Sequence, residues 1–274
     1  MGLPSYEASL RSSAAEKPFG GASYEELKPI GNGELSDLSS EAIERYLVQR
    51  GQRQRFRIPS PELWRFFKKA GFLVGHADSA GRRRLTPTLA GLVVFGERPD
   101  ILLPQCKIKA CEFRGAPGDG TVLEKTHYHT DITGPLPLVM EATAAFFRER
   151  VSTVPHIEGL MRTEGPEYPE KIVREAVVNA LVHRDYVGGA HIHLQMFRDR
   201  IVIRSPGYPI PPLTLERIRS YDVVSLKRNP RIADAAYQLG LMDEAGSGIP
   251  SMPLRLREYG LREPHFDCDA GFFG

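Results

Sequence analysis

The chain has 274 residues, of which 41% are apolar and 26% charged, with a formal net charge of +2. These values are those of an ordinary soluble protein with one large domain or two modest ones. No run of about twenty apolar residues occurs and the first residues lack an apolar signal-peptide core, so we expect no membrane span, no secretion and a cytoplasmic location. Cys106, Cys111 and Cys268 lack C-x-x-C spacing, so we expect reduced thiols and neither a disulfide nor a zinc site.

Residues 1–36 are rich in Ser, Gly and Pro and contain few clustered apolar residues. This composition predicts an irregular lead-in or linker. We therefore place the first boundary of the chain after residue 36.

Residues 37–99 predict a basic helical unit. Residues 40–51 begin with a Ser that can cap a helix and end at a Gly, and residues 60–71 begin with Ser-Pro and also end at a Gly. Residues 72–95 follow as two apolar stretches around a glycine-containing break. The order resembles a winged-helix-like unit, and two packing helices of an α/β domain are an equal alternative.

Positive charge is concentrated in this unit. Residues 41–84 carry eleven Lys and Arg against four Asp and Glu, so the rest of the chain is net acidic. Such an asymmetry can mark a surface that binds the phosphates of DNA, and the alternative is a solvated surface or a contact with the acidic remainder. The arginines that we predict to contact DNA are Arg53, Arg55, Arg57, Arg82, Arg83 and Arg84.

Residues 100–274 predict an α+β module, with a mixed sheet and helices on one of its faces. Alternating polarity indicates strands, and apolar residues at helical spacing indicate helices. The predicted elements are a strand at 106–113, a helix at 135–151, a connecting segment at 155–168, a helix within 169–186, a hairpin at 190–204 and helices near 214–220, 230–240 and 248–259.

The segment Glu175-Ala-Val-Val-Asn179 places a carboxylate and a carboxamide one helical turn apart, beside an apolar stripe. A Glu and an Asn so placed could activate a water and hold Mg²⁺ against phosphate oxygens. The alternative is an exposed Glu and a capping or surface Asn, because the E-x-x-x-N spacing alone is not specific.

Glycines stand at two further points of this module. Ser205-Pro206-Gly207 ends the second strand of the hairpin, and Gly246-Ser247-Gly248 opens the last helix. Glycines at the start of a helix let backbone N–H groups approach an anion, which the helix dipole also attracts.

This order of motifs resembles the ATP-binding fold of gyrase, Hsp90, histidine kinases and MutL, the GHKL fold. The sequences of the motifs are more similar to a divergent branch, which is the C-terminal module of bacterial and archaeal proteins described as RecG-like or as Schlafen AlbA-type regulators. The motifs that carry the resemblance span about residues 85–273 and are LTPTLAGLVVFG, ITGPLPLVMEA, EAVVNALVHRDY, RIVIRSPG and RNPRIADAAYQLGLMDEAGSGIPSM.

The resemblance implies a Bergerat-like sandwich that binds ATP with Mg²⁺. It makes Glu175 the water-activating carboxylate and Asn179 the Mg²⁺ ligand. It places Ser205 and Gly207 on the adenine side, and it makes Gly246, Ser247 and Gly248 the phosphate lid. Active members of the fold usually present an Asp where this chain has Ser205, and a hydroxyl is a weaker acceptor than a carboxylate.

Two functional interpretations follow. One is a Mg²⁺-dependent ATPase switch in a DNA-linked transcriptional regulator or defence protein; the other is a degenerate, non-hydrolysing fold that serves DNA binding and homodimerisation. A helicase motor is not expected, because that motor needs G-x-x-x-x-G-K-[ST] and no Lys in this sequence follows a Gly.

Overall fold

The computed structural model describes residues 24–77, 81–113, 126–158, 161–223, 226–242 and 248–274. The helices are α1 (Ser40–Gln49), α2 (Pro61–Ala70), α3 (Leu89–Phe95), α4 (Pro99–Leu102), α5 (Leu136–Arg148), α6 (Glu170–His183), α7 (Leu215–Arg219), α8 (Pro230–Gln238) and α9 (Gly248–Glu258). The strands are β1 (Leu73–Ala77), β2 (Arg83–Pro87), β3 (Ile108–Phe113), β4 (Thr126–Ile132), β5 (Thr153–Glu158), β6 (Met161–Pro166), β7 (Ile192–Met196), β8 (Ile201–Pro206), β9 (Cys268–Asp269) and β10 (Phe272–Phe273).

Helices α1 and α2 lie where their local capping signals predict them. The side chain of Ser39 accepts a backbone N–H of α1, so the cap lies one residue before the expected Ser40. Ser60 caps α2 in the same way, and Gly71 ends it with a φ of +86° that favours glycine. Strands β1 and β2 then form an antiparallel hairpin. The winged-helix-like interpretation of this unit stays a prediction.

A cluster of aromatic rings forms the centre of the N-terminal part of the chain. Its ring centroids lie between 4.8 and 6.3 Å apart, in edge-on or tilted arrangements that aromatic pairs prefer. We call the following four residues the aromatic core: Tyr46 from α1, Phe67 from α2, Phe95 from α3, and Phe72 from the link between α2 and β1. All are at most 1% exposed, so this part of the chain is closely packed.

The main sheet has the strand order β4-β3-β7-β8-β10-β9. Strands β3 and β7 pair in parallel, whereas the other neighbours pair antiparallel, so the sheet is mixed. Ile108 and Ala110 of β3 and Ile192 and Leu194 of β7 are buried on one face, and helices α5 and α6 pack beside the sheet. The predicted α+β class, with a mixed sheet and helices, is confirmed.

The interpretation of residues 155–168 as a connecting segment is wrong. Strands β5 and β6 pair there as an antiparallel hairpin, with Thr153 opposite Pro166 and Pro155 opposite Glu164. The two prolines argued against strands, because proline cannot donate to a strand ladder. A two-stranded hairpin tolerates them, because each strand has an outer edge that needs no partner.

The described part of the lead-in is anchored to a distant helix. Residues Tyr24–Leu27 form a 3-10 turn that brings the buried Glu26 carboxylate to the start of α8. Its oxygens accept the backbone N–H of Arg231 at 2.9 Å and of Ile232 at 3.3 Å. Burial raises the pKa of Glu26 from 4.5 to about 7, against the opposite effect of these hydrogen bonds.

In the part of the chain that the structure describes, no helix is both long and apolar enough to cross a membrane. The proposed division after residues 36 and 99 stays a prediction.

Candidate functional site

Helix α6, strand β8, helix α9 and residues 260–274 surround a cavity of about 950 Å³. Helix α6 begins after Pro169 and packs Val173, Val177 and Leu181 into the main core. Another side of the same helix faces the cavity, which has a largely apolar wall. The apolar residues of that wall include Ile172, Ile201, Ile203, Met252, Leu256 and Phe266. A cavity of this size and character is typical of small-molecule sites.

Glu175 and Asn179 both line this cavity, one turn apart on α6. The Asn179 side-chain amide donates to Glu175 Oε1 over 3.2 Å. The bond uses an amide hydrogen, so the amide oxygen of Asn179 is the atom that could coordinate a metal. The structure therefore brings the predicted carboxylate and carboxamide together at one cavity wall.

Gly248, the first residue of α9, lies directly against Glu175. A Cβ atom at this glycine would be 1.9 Å from Glu175 Oε1 and 2.6 Å from its Cδ atom. The carboxylate therefore lies at the N-terminal end of α9, where the helix dipole favours negative charge. Gly246 and Ser247, the other predicted lid residues, lie outside the described residues.

Ser205 and Gly207 also line the cavity, at the end of β8. Ser205 is buried and its hydroxyl donates to the Ala180 carbonyl at 2.8 Å, so the remaining polar capacity of the hydroxyl is that of an acceptor. Gly207 has a φ of +111°, and a Cβ there would lie 3.1 Å from the Asp185 Cβ. Both features explain why the strand carries a small hydroxyl near its end and is followed by a glycine.

The C-terminal end of α6 is held by a residue that the sequence analysis missed. Asn229, which is 3% exposed, donates its amide hydrogens to the carbonyls of Val182 and Arg184, each at 2.8 Å. These carbonyls would otherwise lack helical partners. Asn229 therefore fixes the helix that carries Glu175 and Asn179.

The same cavity is also lined by three basic side chains that were assigned no role from the sequence, namely His183, Lys227 and Arg228. Burial, and then the positive charges of Arg228 and Lys227, lower the pKa of His183 from 6.5 to about 4. The imidazole is therefore neutral at pH 7. The three residues come from a helix end and from the segment before α8, so only the folded chain brings them together.

The residues present fit a metal ion that is held jointly by the protein and by a bound ligand. Among the residues described, no three His, Cys, Asp or Glu side chains are grouped as a metal site. Mg²⁺ needs no such group, since it is usually held by one or two protein oxygens with waters and phosphate oxygens. The side-chain oxygen of Asn179 would hold the ion, and the ion would supply charge to neutralise phosphates.

The six arginines predicted to contact DNA lie in two segments of the N-terminal part. Arg53 and Arg55 belong to a 3-10 turn after α1, and Arg83 and Arg84 to β2. Arg53 and Arg84 each have an acidic partner. Arg53 Nε lies 2.7 Å from Glu44, and Arg84 Nη1 lies 3.4 Å from Glu34. The side chains of Arg55, Arg57, Arg82 and Arg83 are exposed.

Residues 189–274 match the protein family described as "Putative ATP-dependent DNA helicase recG C-terminal". This part of the chain is therefore similar to an ATPase-like domain. The match includes Ser205, Gly207 and Gly248, whereas α6 with Glu175 and Asn179 lies before it. No curated protein matches the sequence.

The crystal structure of the DIP2311 protein from Corynebacterium diphtheriae is similar to this chain, with a TM-score of 0.67 and 20% sequence identity. The similarity covers 96% of this chain and 48% of the other, so this chain spans about half the length of that protein. At this identity the likeness concerns the fold alone. The comparisons thus agree with an α+β fold whose C-terminal part resembles an ATPase-like module.

Proposed function

We propose that this chain contains a divergent GHKL-type module that binds ATP with Mg²⁺ and serves as a switch in a DNA-linked regulator or defence protein. The observation that carries the proposal is one cavity lined by Glu175, Asn179, Gly207 and Gly248. These are the residue types that a nucleotide site of this kind requires, and they come from separate elements.

The cavity supports the proposal in size and in chemistry. Its volume of about 950 Å³ is large enough for a nucleotide, and its apolar wall can receive the flat face of a base. Asn179 supplies an oxygen for Mg²⁺, and Glu175 can accept a proton from an attacking water. The ATPase-like family match of residues 189–274 points to the same ligand.

Nucleotide binding can be tested through its effect on unfolding. Saturating Mg·ATP should stabilise the fold by about 2.7 kcal/mol at a hundredfold excess over Kd. Asn179→Ala should abolish this gain, because it removes the metal ligand, whereas Asn32→Ala in an exposed turn should keep it. Native protein whose unfolding does not respond to millimolar Mg·ATP would contradict the proposal.

Hydrolysis is tested separately. Glu175→Ala removes the base, so any turnover should fall by about 10²–10⁴-fold while the protein still binds Mg·ATP. Loss of binding together with turnover would instead assign Glu175 a structural role.

The second candidate function is a non-hydrolysing module that contacts DNA. The observation that favours it is that the Ser205 hydroxyl gives its hydrogen to the Ala180 carbonyl, at the position where the fold that this chain resembles usually has an adenine-binding carboxylate. If the basic unit contacts DNA phosphates, log K should fall with log[salt] by about 0.9 for each contact.

Removal of exposed charge tests this candidate. Arg82→Ala with Arg83→Ala should flatten the salt dependence, whereas Lys171→Ala with Arg174→Ala removes equal charge from the exposed side of α6 and should not. Unrelated duplex sequences should be affected alike, because phosphate contacts carry no base information. An unchanged slope in the first variant would leave the basic unit as a solvated surface.

A further inference from the structure

Lys227 and Arg228 stand side by side in the segment before α8 and line the same cavity as Glu175 and Asn179. Lys227 lies just before the motif that begins at Arg228, and the resemblance assigns neither residue a role in the nucleotide site. Two positively charged side chains therefore stand on the wall of the cavity that Glu175 and Asn179 also line.

The position of Arg228 is fixed by its neighbours. Its guanidinium donates to the Tyr208 carbonyl, and its Nη2 atom would lie 3.6 Å from a Cβ on Gly207. The next residue, Asn229, is buried and bonded to the end of α6. This segment is therefore held before any ligand arrives, which lowers the entropic cost of binding.

The charge of Lys227 has no acidic partner among the described residues. Within the described part of the chain, no carboxylate lies within salt-bridge distance of the Lys227 ammonium. Three acidic residues of the cavity wall already have basic partners. The pairs are Asp199 with Arg200, Glu263 with Arg257 and Asp267 with Arg219.

The lowered pKa of His183 reflects its burial and then the positive charges of Arg228 and Lys227. The charges of Arg228 and Lys227 add to burial in keeping its ring neutral, so they act toward the inside of the cavity. Cationic groups at an apolar wall lose hydration, and an anionic ligand would restore favourable interactions.

We infer that Lys227 and Arg228 form a phosphate-binding corner of the cavity, which receives the polyphosphate of a nucleotide. This inference rests on the proposed nucleotide function and assigns the polyphosphate to residues outside the glycine motif. The glycine at position 207 leaves room for a phosphate oxygen to approach the guanidinium, and charge-assisted hydrogen bonds would hold it.

The test is calorimetric titration of the full chain with Mg·ATP, tripolyphosphate and adenosine. Lys227→Gln and Arg228→Gln should each weaken the binding of Mg·ATP and tripolyphosphate by about tenfold or more, since each removes a charge-assisted contact. Adenosine binding should not change, because adenosine carries no phosphate. Lys171→Gln and Arg174→Gln, on the exposed side of α6, are the matched controls and should bind like the unaltered chain.

The outcomes separate this inference from the nucleotide proposal. Variants that bind Mg·ATP as tightly as the unaltered chain would overturn the phosphate corner and leave nucleotide binding intact. Binding of tripolyphosphate alone, lost in both variants, would support the corner and contradict the nucleotide proposal. Binding of none of the three probes would overturn both. If Arg228→Gln fails to fold, Lys227→Gln decides, because its side chain has no structural partner among the described residues.

Discussion

The aromatic core of the N-terminal part and the cavity of the C-terminal part use apolar side chains in opposite ways. In the aromatic core, Tyr46, Phe67, Phe72 and Phe95 fill the space between one another. Around the cavity, apolar side chains such as Met252 enclose about 950 Å³ instead. Interiors are normally packed as densely as organic crystals, whereas a space of this size with an apolar wall has the character of a small-molecule site.

Truncation in the two regions should give the largest contrast. Phe67→Ala should lower the free energy of unfolding by about 3–5 kcal/mol, because the closely packed rings cannot collapse into the space left behind. Met252→Ala should cost about 2 kcal/mol, at the lower end for such changes, because the side chain already borders empty volume. Urea unfolding at pH 7 measures both, and equal losses would contradict the difference in packing.

Two glycines should respond differently to a methyl group. A Cβ on Gly91 in α3 would lie 2.1 Å from the backbone oxygen of Phe72, which cannot move aside, so Gly91→Ala should cost about 3 kcal/mol. The Cβ of Gly248→Ala meets the flexible side chain of Glu175, which can turn into the cavity, so the cost should stay below about 1 kcal/mol. Thermal unfolding of both variants provides the comparison, and a Gly248→Ala loss as large as that of Gly91→Ala would show that the cavity cannot accept the carboxylate.

Buried titratable groups should give the two regions opposite pH dependences. His183 takes up a proton near pH 6.5 in the unfolded chain and only near pH 4 in the folded protein. The unfolded state therefore gains protons first as the pH falls from about 6.5 to 4, and the free energy of unfolding decreases over that range. Glu26 ionises near pH 4.5 when unfolded and near pH 7 when folded, so its contribution is lost as the pH rises. Between pH 7 and pH 5 each effect amounts to about 2 kcal/mol, and the two nearly cancel.

Variants that lack one of these two groups should therefore show a pH dependence of stability that the unaltered chain does not show. His183→Gln leaves the Glu26 effect, so its free energy of unfolding should rise from pH 7 to pH 5, whereas Glu26→Gln should show the reverse. Denaturant titrations at the two pH values measure these slopes. Parallel slopes in the two variants would refute the assigned pKa shifts.

The smallest difference between the two regions should come from two buried hydroxyls. In the N-terminal part, Thr88 donates to the Gly71 carbonyl at 2.8 Å and accepts the Gly91 N–H at 3.1 Å, so Thr88→Val should cost about 2 kcal/mol. Ser205 makes one such bond, to Ala180, so Ser205→Ala should cost about 1 kcal/mol. A larger loss at Ser205 would mean that the strand end supports more of the fold than its one bond implies.

The sequence predicted best those elements that local chemistry determines. The Ser60-Pro61 start and the Gly71 end of α2 are properties of adjacent residues, and the hairpin of β7 and β8 follows from alternating polarity. The β5 and β6 hairpin was missed because Pro155 and Pro166 disfavour strands, and only pairing across the hairpin compensates for them.

The site was predicted in part for the same reason. Glu175 and Asn179 are one turn apart in sequence, so their meeting on α6 could be foreseen. Lys227 and Arg228 lie far along the chain from His183, and no local pattern indicates that they share its cavity. Glu26 was likewise assigned to an irregular lead-in, because its partners on α8 are distant in sequence.

Helix α8 is tied at its start to both regions. Glu26 binds its first free amides, while Asn229, just before it, holds the last carbonyls of α6. Any ligand that shifts α6 must therefore stretch these hydrogen bonds or carry the 3-10 turn of Tyr24–Leu27 with it. The hydrogen-exchange rate of the Arg231 backbone amide would then change when a ligand occupies the cavity, and it can be measured without labelling the ligand.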